Sequence, residues 1–107
     1  MNAVFRAIAD PGRRELLDQL HIANGQTLTQ LCQRLSMSRQ AVSKHLGILA
    51  RADLVIPLWR GREKLHYFNP IPLRRISEQW LDKYELSSAR ALIDLQRGLD
   101  ALEPKEQ

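Results

Sequence analysis

A short polar segment near residue 40 carries side chains that could recognise a nucleic acid. Arginine can pair with guanine, glutamine can pair with adenine, and serine and lysine can bind phosphate oxygens. The segment contains each of these types: Arg39, Gln40, Ser43 and Lys44. Val42, Leu46 and Leu49 recur at helical spacing, so the four polar residues fall on the opposite face of the same helix. We expect this face to contact base edges and phosphates of double-stranded DNA.

A second cationic group surrounds a glycine further along the chain. Arg60, Arg62 and Lys64 flank Gly61 between two β-rich runs, which is typical of a hairpin tip. Such a tip could lie on phosphates or enter a narrow minor groove, although a purely structural hairpin is also polar at its tip. The adjacent Trp59 is expected to pack against the body of the domain, and the alternative is that it rests on DNA sugars.

Local signals predict the elements that hold these residues. Asp10, Thr27 and Ser38 each precede an apolar helical pattern and can cap exposed backbone amides. A short helix behind Thr27, a tight turn and a basic helix, followed by a hairpin, predict a winged helix-turn-helix. The fold class is therefore mainly α with a small β-hairpin. The chain is expected to be a single domain with a helix-turn-helix at 28–51, a wing at 54–69, and core and dimerisation helices at 1–22 and 71–103.

Length and charge agree with a small polyanion-binding domain. The 107 residues suffice for one domain, and the net charge of +4 is unevenly distributed. Residues 34–75 carry +7, whereas residues 1–33 balance to zero and residues 76–107 carry −3. This distribution is typical of a surface that binds a polyanion, although a solvated positive face without a partner gives the same pattern. The sequence has no long apolar run and no secretory signal, so we expect a cytoplasmic protein without a membrane partner.

A resemblance to a known family extends from Phe5 to about Tyr84 and is carried by three segments: ADPGRRELLDQL, LTQLCQRLSMSRQAVSKHLGILARADLV and WRGREKLHYF. These segments resemble bacterial repressors of the ArsR/SmtB family. The resemblance implies a winged-helix fold, homodimerisation through terminal helices and repression of a promoter, often the protein's own. It also implies that the DNA-binding residues are Ser38, Arg39, Gln40, Ser43, Lys44, His45, Arg60, Arg62 and Lys64. Gln40 stands where the family often has proline, so the operator sequence does not transfer from relatives.

Residues that could bind a metal or catalyse a reaction are sparse. By the resemblance, Thr27 and Thr29 occupy positions where metal-sensing relatives have a cysteine pair. The histidines lie on three different elements, without the spacing of zinc ligands: His21, His45 and His66. Cys32 is expected to fill a helix crossing as a small apolar side chain. We therefore expect no metal, no cofactor and no enzymatic activity, and the sequence identifies no small-molecule inducer.

Four leucines near the C-terminal end step by three, four and three residues: Leu92, Leu95, Leu99 and Leu102. This coiled-coil spacing predicts a homodimer interface shared with Val4, Phe5 and Ile8, although a leucine stripe is also typical of an intrachain core. A two-fold dimer would place two recognition helices on an inverted-repeat operator. Two other functions stay open, namely a protein–protein adaptor and an RNA-binding module without a specific operator.

Overall fold

A computed structural model describes residues 2–83 and 86–102. Its elements, in chain order, are α1 (Asn2–Ala9), α2 (Pro11–Ile22), α3 (Leu28–Arg34), α4 (Arg39–Arg51), β1 (Val55–Arg60), β2 (Glu63–Phe68), α5 (Ile71–Lys83) and α6 (Leu86–Leu102). A helix-turn-helix at α3 and α4 is followed by an antiparallel hairpin, so the predicted winged helix-turn-helix is confirmed. The chain divides into two compact units, residues 1–74 and 75–107. The single-domain assignment stays a prediction.

The three predicted helix starts are confirmed by side-chain caps. The side-chain oxygens of Asp10, Thr27 and Ser38 each accept a hydrogen bond from the backbone amide three residues later, at 3.0, 3.2 and 3.1 Å. At Thr27 the cap is reciprocal, because the Gln30 side-chain oxygen accepts from the Thr27 amide at 2.9 Å. Each cap satisfies a backbone donor that has no partner within its helix. Short-range chemistry thus determines where α2, α3 and α4 begin.

Two arginines of α2 hold the end of α1. Arg13 donates from Nε to the Ala7 carbonyl at 2.6 Å, and Arg14 donates from Nη1 to the Ile8 carbonyl at 2.7 Å. These carbonyls belong to the last turn of α1, where helical acceptors lack intrahelical partners. Cations in this position also oppose the negative end of the helix dipole. Both guanidinium groups therefore act as structural links between α1 and α2.

The core of the first unit is built mainly from leucines of α2, α3 and α4. The predicted inward stripe of α4 is confirmed, since Val42, Leu46 and Leu49 are buried. They pack in a core that contains the following fully buried leucines from other segments: Leu16, Leu20, Leu31 and Leu54. Burial of a leucine side chain stabilises a fold by about 1.5–3 kcal/mol. The core therefore fixes which side of α4 faces outward.

The wing is a two-stranded antiparallel hairpin attached to the turn between α2 and α3. The His66 amide donates to the Gln26 carbonyl, and the Gly25 amide donates to the His66 carbonyl, both at 2.9 Å. The Asn24 side-chain oxygen also accepts from the Phe68 amide at 2.7 Å. The helix α2 ends at Ile22, and Asn24 and Gly25, which follow its C-cap residue, bind β2. The wing is thereby fixed to the helix-turn-helix.

The second unit consists of the later part of α5 and the 17-residue helix α6. Leu92, Leu95 and Leu99 of the predicted seam are exposed. Leu102 is the last residue of α6, and its side chain lies outside the described part of the structure. Among the described residues, no helix is long and apolar enough to cross a membrane.

Candidate nucleic-acid interface

The first turns of α4 present the predicted polar set on one exposed side. Arg39, Gln40, Ser43 and Lys44 are all exposed. They are exposed because the opposite side of α4 carries the buried stripe that packs in the core. Four side chains able to bind base edges or phosphates therefore share the N-terminal half of the second helix of the helix-turn-helix, the part that enters the major groove in this motif.

Arg39 is held by a residue that the sequence did not single out as part of the interface. Its Nη1 donates a hydrogen bond to the Thr29 hydroxyl at 3.2 Å. Thr29 lies on α3 and is itself exposed. The bond restricts a side chain that would otherwise lose conformational entropy on binding. A polar residue at the second position of the preceding helix was the available sequence signal.

Ser38 combines a structural role with an exposed position. Its hydroxyl oxygen accepts the hydrogen bond from the Ala41 amide that caps α4. A hydroxyl is both donor and acceptor, so its proton remains available for a phosphate oxygen. The exposed amides at the start of α4 add a partial positive charge at the same place. Ser38 is therefore suited to bind the DNA backbone.

The structure places His45 against α2 and gives it only slight exposure. Its Nε2 lies 3.9 Å from Asp10 Oδ2, and its Nδ1 lies 3.5 Å from Arg13 Nη1. The backbone hydrogen bond from Arg13, together with the nearby positive charges, lowers the pKa of Asp10. His45 is half-buried, in contrast to the four exposed residues of the same helix. These contacts link His45 of α4 to the start of α2, and its assignment as a DNA-binding residue stays a prediction.

A cleft of about 720 Å³ lies between the helix-turn-helix and the wing. One wall comes from α3 and α4 and the other from β1 and β2, and its charged and polar lining residues include Thr27, Thr29, Arg39, Ser43, Arg62, Glu63 and Lys64. Cations from both walls thus face the same space. An anionic ligand is favoured there because opposite charges attract more strongly in a concave surface of reduced dielectric.

The tip of the wing exposes its three predicted cations. Arg60, Arg62 and Lys64 are exposed, and Gly61 between them has a φ of +62°, a conformation that glycine adopts at little cost. Trp59 was expected to pack against the domain body, and that expectation is wrong, because its side chain is 69% exposed. Its position near the end of β1 takes it beyond Val55, the buried residue that starts the strand. Lys64 Nζ lies 5.9 Å from the centroid of the indole ring.

Metal-ligating side chains do not converge in the described residues. Within residues 2–83 and 86–102, no group of three His, Cys, Asp or Glu side chains could hold a metal ion. His66 is buried, and its Nδ1 lies 2.9 Å from the Gln26 carbonyl oxygen. Because a carbonyl only accepts hydrogen bonds, Nδ1 carries the proton in this contact. Burial lowers the pKa of His66, so the neutral form is favoured.

The predicted interface residues of α1 differ in exposure. Val4 is buried in the first unit, Phe5 is 42% exposed, and Ile8 is half-buried. An apolar side chain with this degree of exposure is available to a second protein surface. Phe5 is thus the most accessible of the three.

Comparisons with known proteins all point to helix-turn-helix transcriptional regulators. Residues 8–57 match the family model described as a helix-turn-helix domain. The chain is 37% identical to the uncharacterized HTH-type transcriptional regulator YuzN of Bacillus subtilis (strain 168), covering 76% of this chain and 95% of that protein. It is 38% identical to the transcriptional repressor SdpR of the same organism, covering 58% of this chain and 68% of that protein.

A solved structure extends the similarity beyond the helix-turn-helix. The ArsR-like transcriptional regulator from Rhodococcus sp. RHA1 is 31% identical, with a TM-score of 0.68, and the match covers 94% of this chain and 87% of that one. Its coverage includes the wing and the helices on both sides of it. The chain described here therefore belongs to the ArsR-like family of helix-turn-helix transcriptional regulators.

Proposed function

We propose that the protein is a transcriptional repressor that binds an inverted-repeat DNA operator as a homodimer, with its own promoter as the first candidate site. The observation that carries the proposal is the exposed set Arg39, Gln40, Ser43 and Lys44 on the helix next to a cationic wing. The similarity to a protein named a transcriptional repressor supports repression as the outcome.

The exposed residues divide into base-reading and backbone-binding groups. Arg39 and Gln40 can form paired hydrogen bonds with guanine and adenine in the major groove. The remaining residues bind phosphates and set the position of the protein on the duplex: Ser38, Ser43, Lys44, Arg60, Arg62 and Lys64. In this proposal His45 positions α4 through its contacts with α2. Specificity then comes from two residues and most of the affinity from six.

The homodimer is proposed to form through the terminal helices. Leu92, Leu95 and Leu99 are exposed on α6, where Leu102 continues their spacing, and Phe5 is exposed on α1. An exposed leucine seam with this spacing favours helix pairing between subunits. A two-fold axis would set the two α4 helices about 34 Å apart, one turn of B-DNA. The two-fold symmetry selects an inverted repeat, and the distance between the helices sets the separation of its half-sites.

Repression in this proposal requires only that the protein occupies the promoter DNA. We propose that the regulator acts in the cytoplasm without catalysis or a cofactor, by preventing RNA polymerase from using a promoter that it covers. The net charge of +7 over residues 34–75 favours fast association with DNA. Affinity is then expected to fall steeply with salt because bound phosphates release their counterions.

Fluorescence anisotropy tests the proposal. The protein is titrated into a labelled duplex from its own upstream region and into a scrambled duplex, each over a series of salt concentrations. We expect the upstream duplex to bind about 10³-fold more tightly or better. Arg39→Ala should reduce this ratio.

Other outcomes separate the alternatives. Equal binding to both duplexes, lost together as salt rises, would contradict the proposal and indicate a general polyanion surface. Preference for structured RNA over both duplexes would favour the RNA-binding alternative. Binding to neither nucleic acid would favour the protein–protein adaptor.

A further inference from the structure

The strongest unassigned feature of the described structure is the exposed tryptophan near the tip of the wing. Trp59 pairs with Lys64 across the hairpin, and alternate residues of β1 point to the same face of the sheet. Trp59 therefore shares a face with Pro57, which pairs with His66. This face is buried at His66 and becomes exposed toward the tip.

That same face of the wing bounds the cleft beside α4. Pro57, His66 and Lys64 all line the cleft. Trp59 follows Pro57 by two residues on β1, so it lies at the outer end of the face that the cleft shares. The indole is thus located where a duplex bound against α4 would continue past the wing.

The charges around Trp59 identify the kind of partner that fits it. Arg60 and Arg62 are exposed on the same hairpin, and Lys64 Nζ lies 5.9 Å from the indole centroid. A protein surface with an apolar hot spot would usually exclude charge from its centre. A DNA backbone instead presents apolar deoxyribose faces directly beside phosphates, and therefore complements an indole flanked by cations.

We infer that Trp59 is a DNA-binding residue whose indole packs on deoxyribose while Lys64 binds the adjacent phosphate. This inference rests on the proposed function, because it takes operator DNA as the partner. The contact between Lys64 and Trp59 orients both side chains before binding and reduces the entropy lost in the complex. The wing then contributes an apolar contact as well as charge.

Tryptophan emission and substitution test the inference together. The chain has two tryptophans, so the protein and its Trp59→Phe variant are compared, with Trp80 common to both. On titration with operator duplex, the emission of the protein should fall with the same midpoint as the anisotropy rise, and the variant should lose most of this change. Trp59→Ala should weaken operator binding about tenfold, whereas Trp59→Phe should retain affinity within about threefold.

The salt dependence separates the apolar contact from the ionic one. Trp59→Ala should leave the slope of log affinity against log salt unchanged, whereas Lys64→Ala should lower its magnitude by about one. The midpoint of urea unfolding should not change in Trp59→Ala, since the side chain is exposed.

Two results would overturn the inference, and they differ in what they imply. Specific operator binding without a Trp59-dependent change in emission, and with unchanged affinity in Trp59→Ala, would refute the contact and leave the repressor function intact. Absence of any preference for the operator duplex would refute the proposed function and this inference with it.

Discussion

Arg39 of α4 and Thr29 of α3 are joined by a hydrogen bond of 3.2 Å, from the guanidinium Nη1 to the threonine hydroxyl. The two helices of the helix-turn-helix therefore position this guanidinium jointly. Arginine has five N–H donors in a planar fork, so one bond to Thr29 leaves other donors for a guanine edge. The contact organises a base-reading side chain before DNA arrives.

Thr29→Val should weaken operator binding by about 0.5–1.5 kcal/mol, because it removes the acceptor at nearly constant side-chain shape. Thr29→Ser keeps a hydroxyl acceptor, so this variant should bind the operator as tightly as the unsubstituted protein. In an Arg39→Ala background the Thr29→Val change should have no further effect, and a double-mutant cycle by anisotropy measures this coupling. Additive effects of the two substitutions would show that Thr29 does not act through Arg39.

Arg39→Ala and Arg62→Ala should affect DNA binding in different ways. Arg39→Ala should cost about 1–3 kcal/mol on the operator and relax the preference for one base, because it removes a contact to a base edge. Arg62→Ala should weaken operator and scrambled duplex alike and lower the salt slope by about one. Titrations against a set of single-base operator variants make the comparison. Equal and uniform losses from both changes would refute the division between base reading and phosphate binding.

Substitutions of Ser38 should separate folding from DNA binding. Ser38→Ala should lower the free energy of unfolding by about 0.5–2 kcal/mol because it removes the cap of α4. Ser38→Asp should keep the cap, yet weaken DNA binding because it places a carboxylate near the phosphates. Urea unfolding and anisotropy give the two quantities. Full DNA affinity in Ser38→Asp would contradict a backbone contact at this position.

The stability of the protein should fall as the pH drops below about 6.5, the ordinary pKa of histidine. Burial lowers the pKa of His66 in the folded state below 6.5. Between the two pKa values the unfolded chain binds more protons than the folded one, so acidification favours unfolding throughout that window. The stability that depends on neutral His66 is fully present above the ordinary histidine pKa, and it is lost as the pH falls through the lower folded-state pKa.

Urea unfolding at a series of pH values measures this effect. His66→Asn can still donate to the Gln26 carbonyl, and it should flatten the dependence of stability on pH in that range. An unaltered slope in His66→Asn would assign the pH effect to another group.

Replacement of the α6 leucines should dissociate the proposed dimer. Leu95→Gln and Leu99→Gln each remove an exposed apolar side chain from the seam. They should shift the protein toward monomer in sedimentation equilibrium, and they should lower the affinity for the full operator more than for a half-site. Arg97→Gln on another side of α6 is the matched control. An unchanged dimer dissociation constant in the leucine variants would show that the dimer interface lies elsewhere.

The parts of the fold that depend on short-range chemistry could be predicted from the sequence. Asp10, Thr27 and Ser38 cap the helices that their local patterns indicate. The exposed side of α4 could also be predicted, because Val42 and its neighbours at helical spacing must be buried. In both cases a few adjacent residues contain all the information that is needed.

Features that depend on contacts between distant segments could not be predicted. The bond between Thr29 and Arg39 requires the crossing of two helices, which no local pattern specifies. Trp59 was expected to pack against the domain body because aromatic residues usually are buried, but its side chain is exposed. The alternation of side chains along a strand does not show which residues extend beyond the part of the domain that covers the strand. His45 was assigned to the DNA-binding residues by resemblance, and its contact with Asp10 could not be predicted because it depends on how α2 crosses α4.

The attachment of β2 to the α2–α3 turn limits the ways in which the proposed dimer could be released from DNA. Hydrogen bonds from the amides of Gly25, His66 and Phe68 join the wing to the segment that precedes α3. A hinge motion between the wing and the helix-turn-helix would therefore have to break several hydrogen bonds at once. In the proposed dimer, we therefore expect the distance between the two subunits to change more readily than the position of the wing on its own helix-turn-helix. A change of a few ångströms in the distance between the subunits would put both α4 helices out of register with successive major grooves, while the wing and the helix-turn-helix of each subunit stay joined.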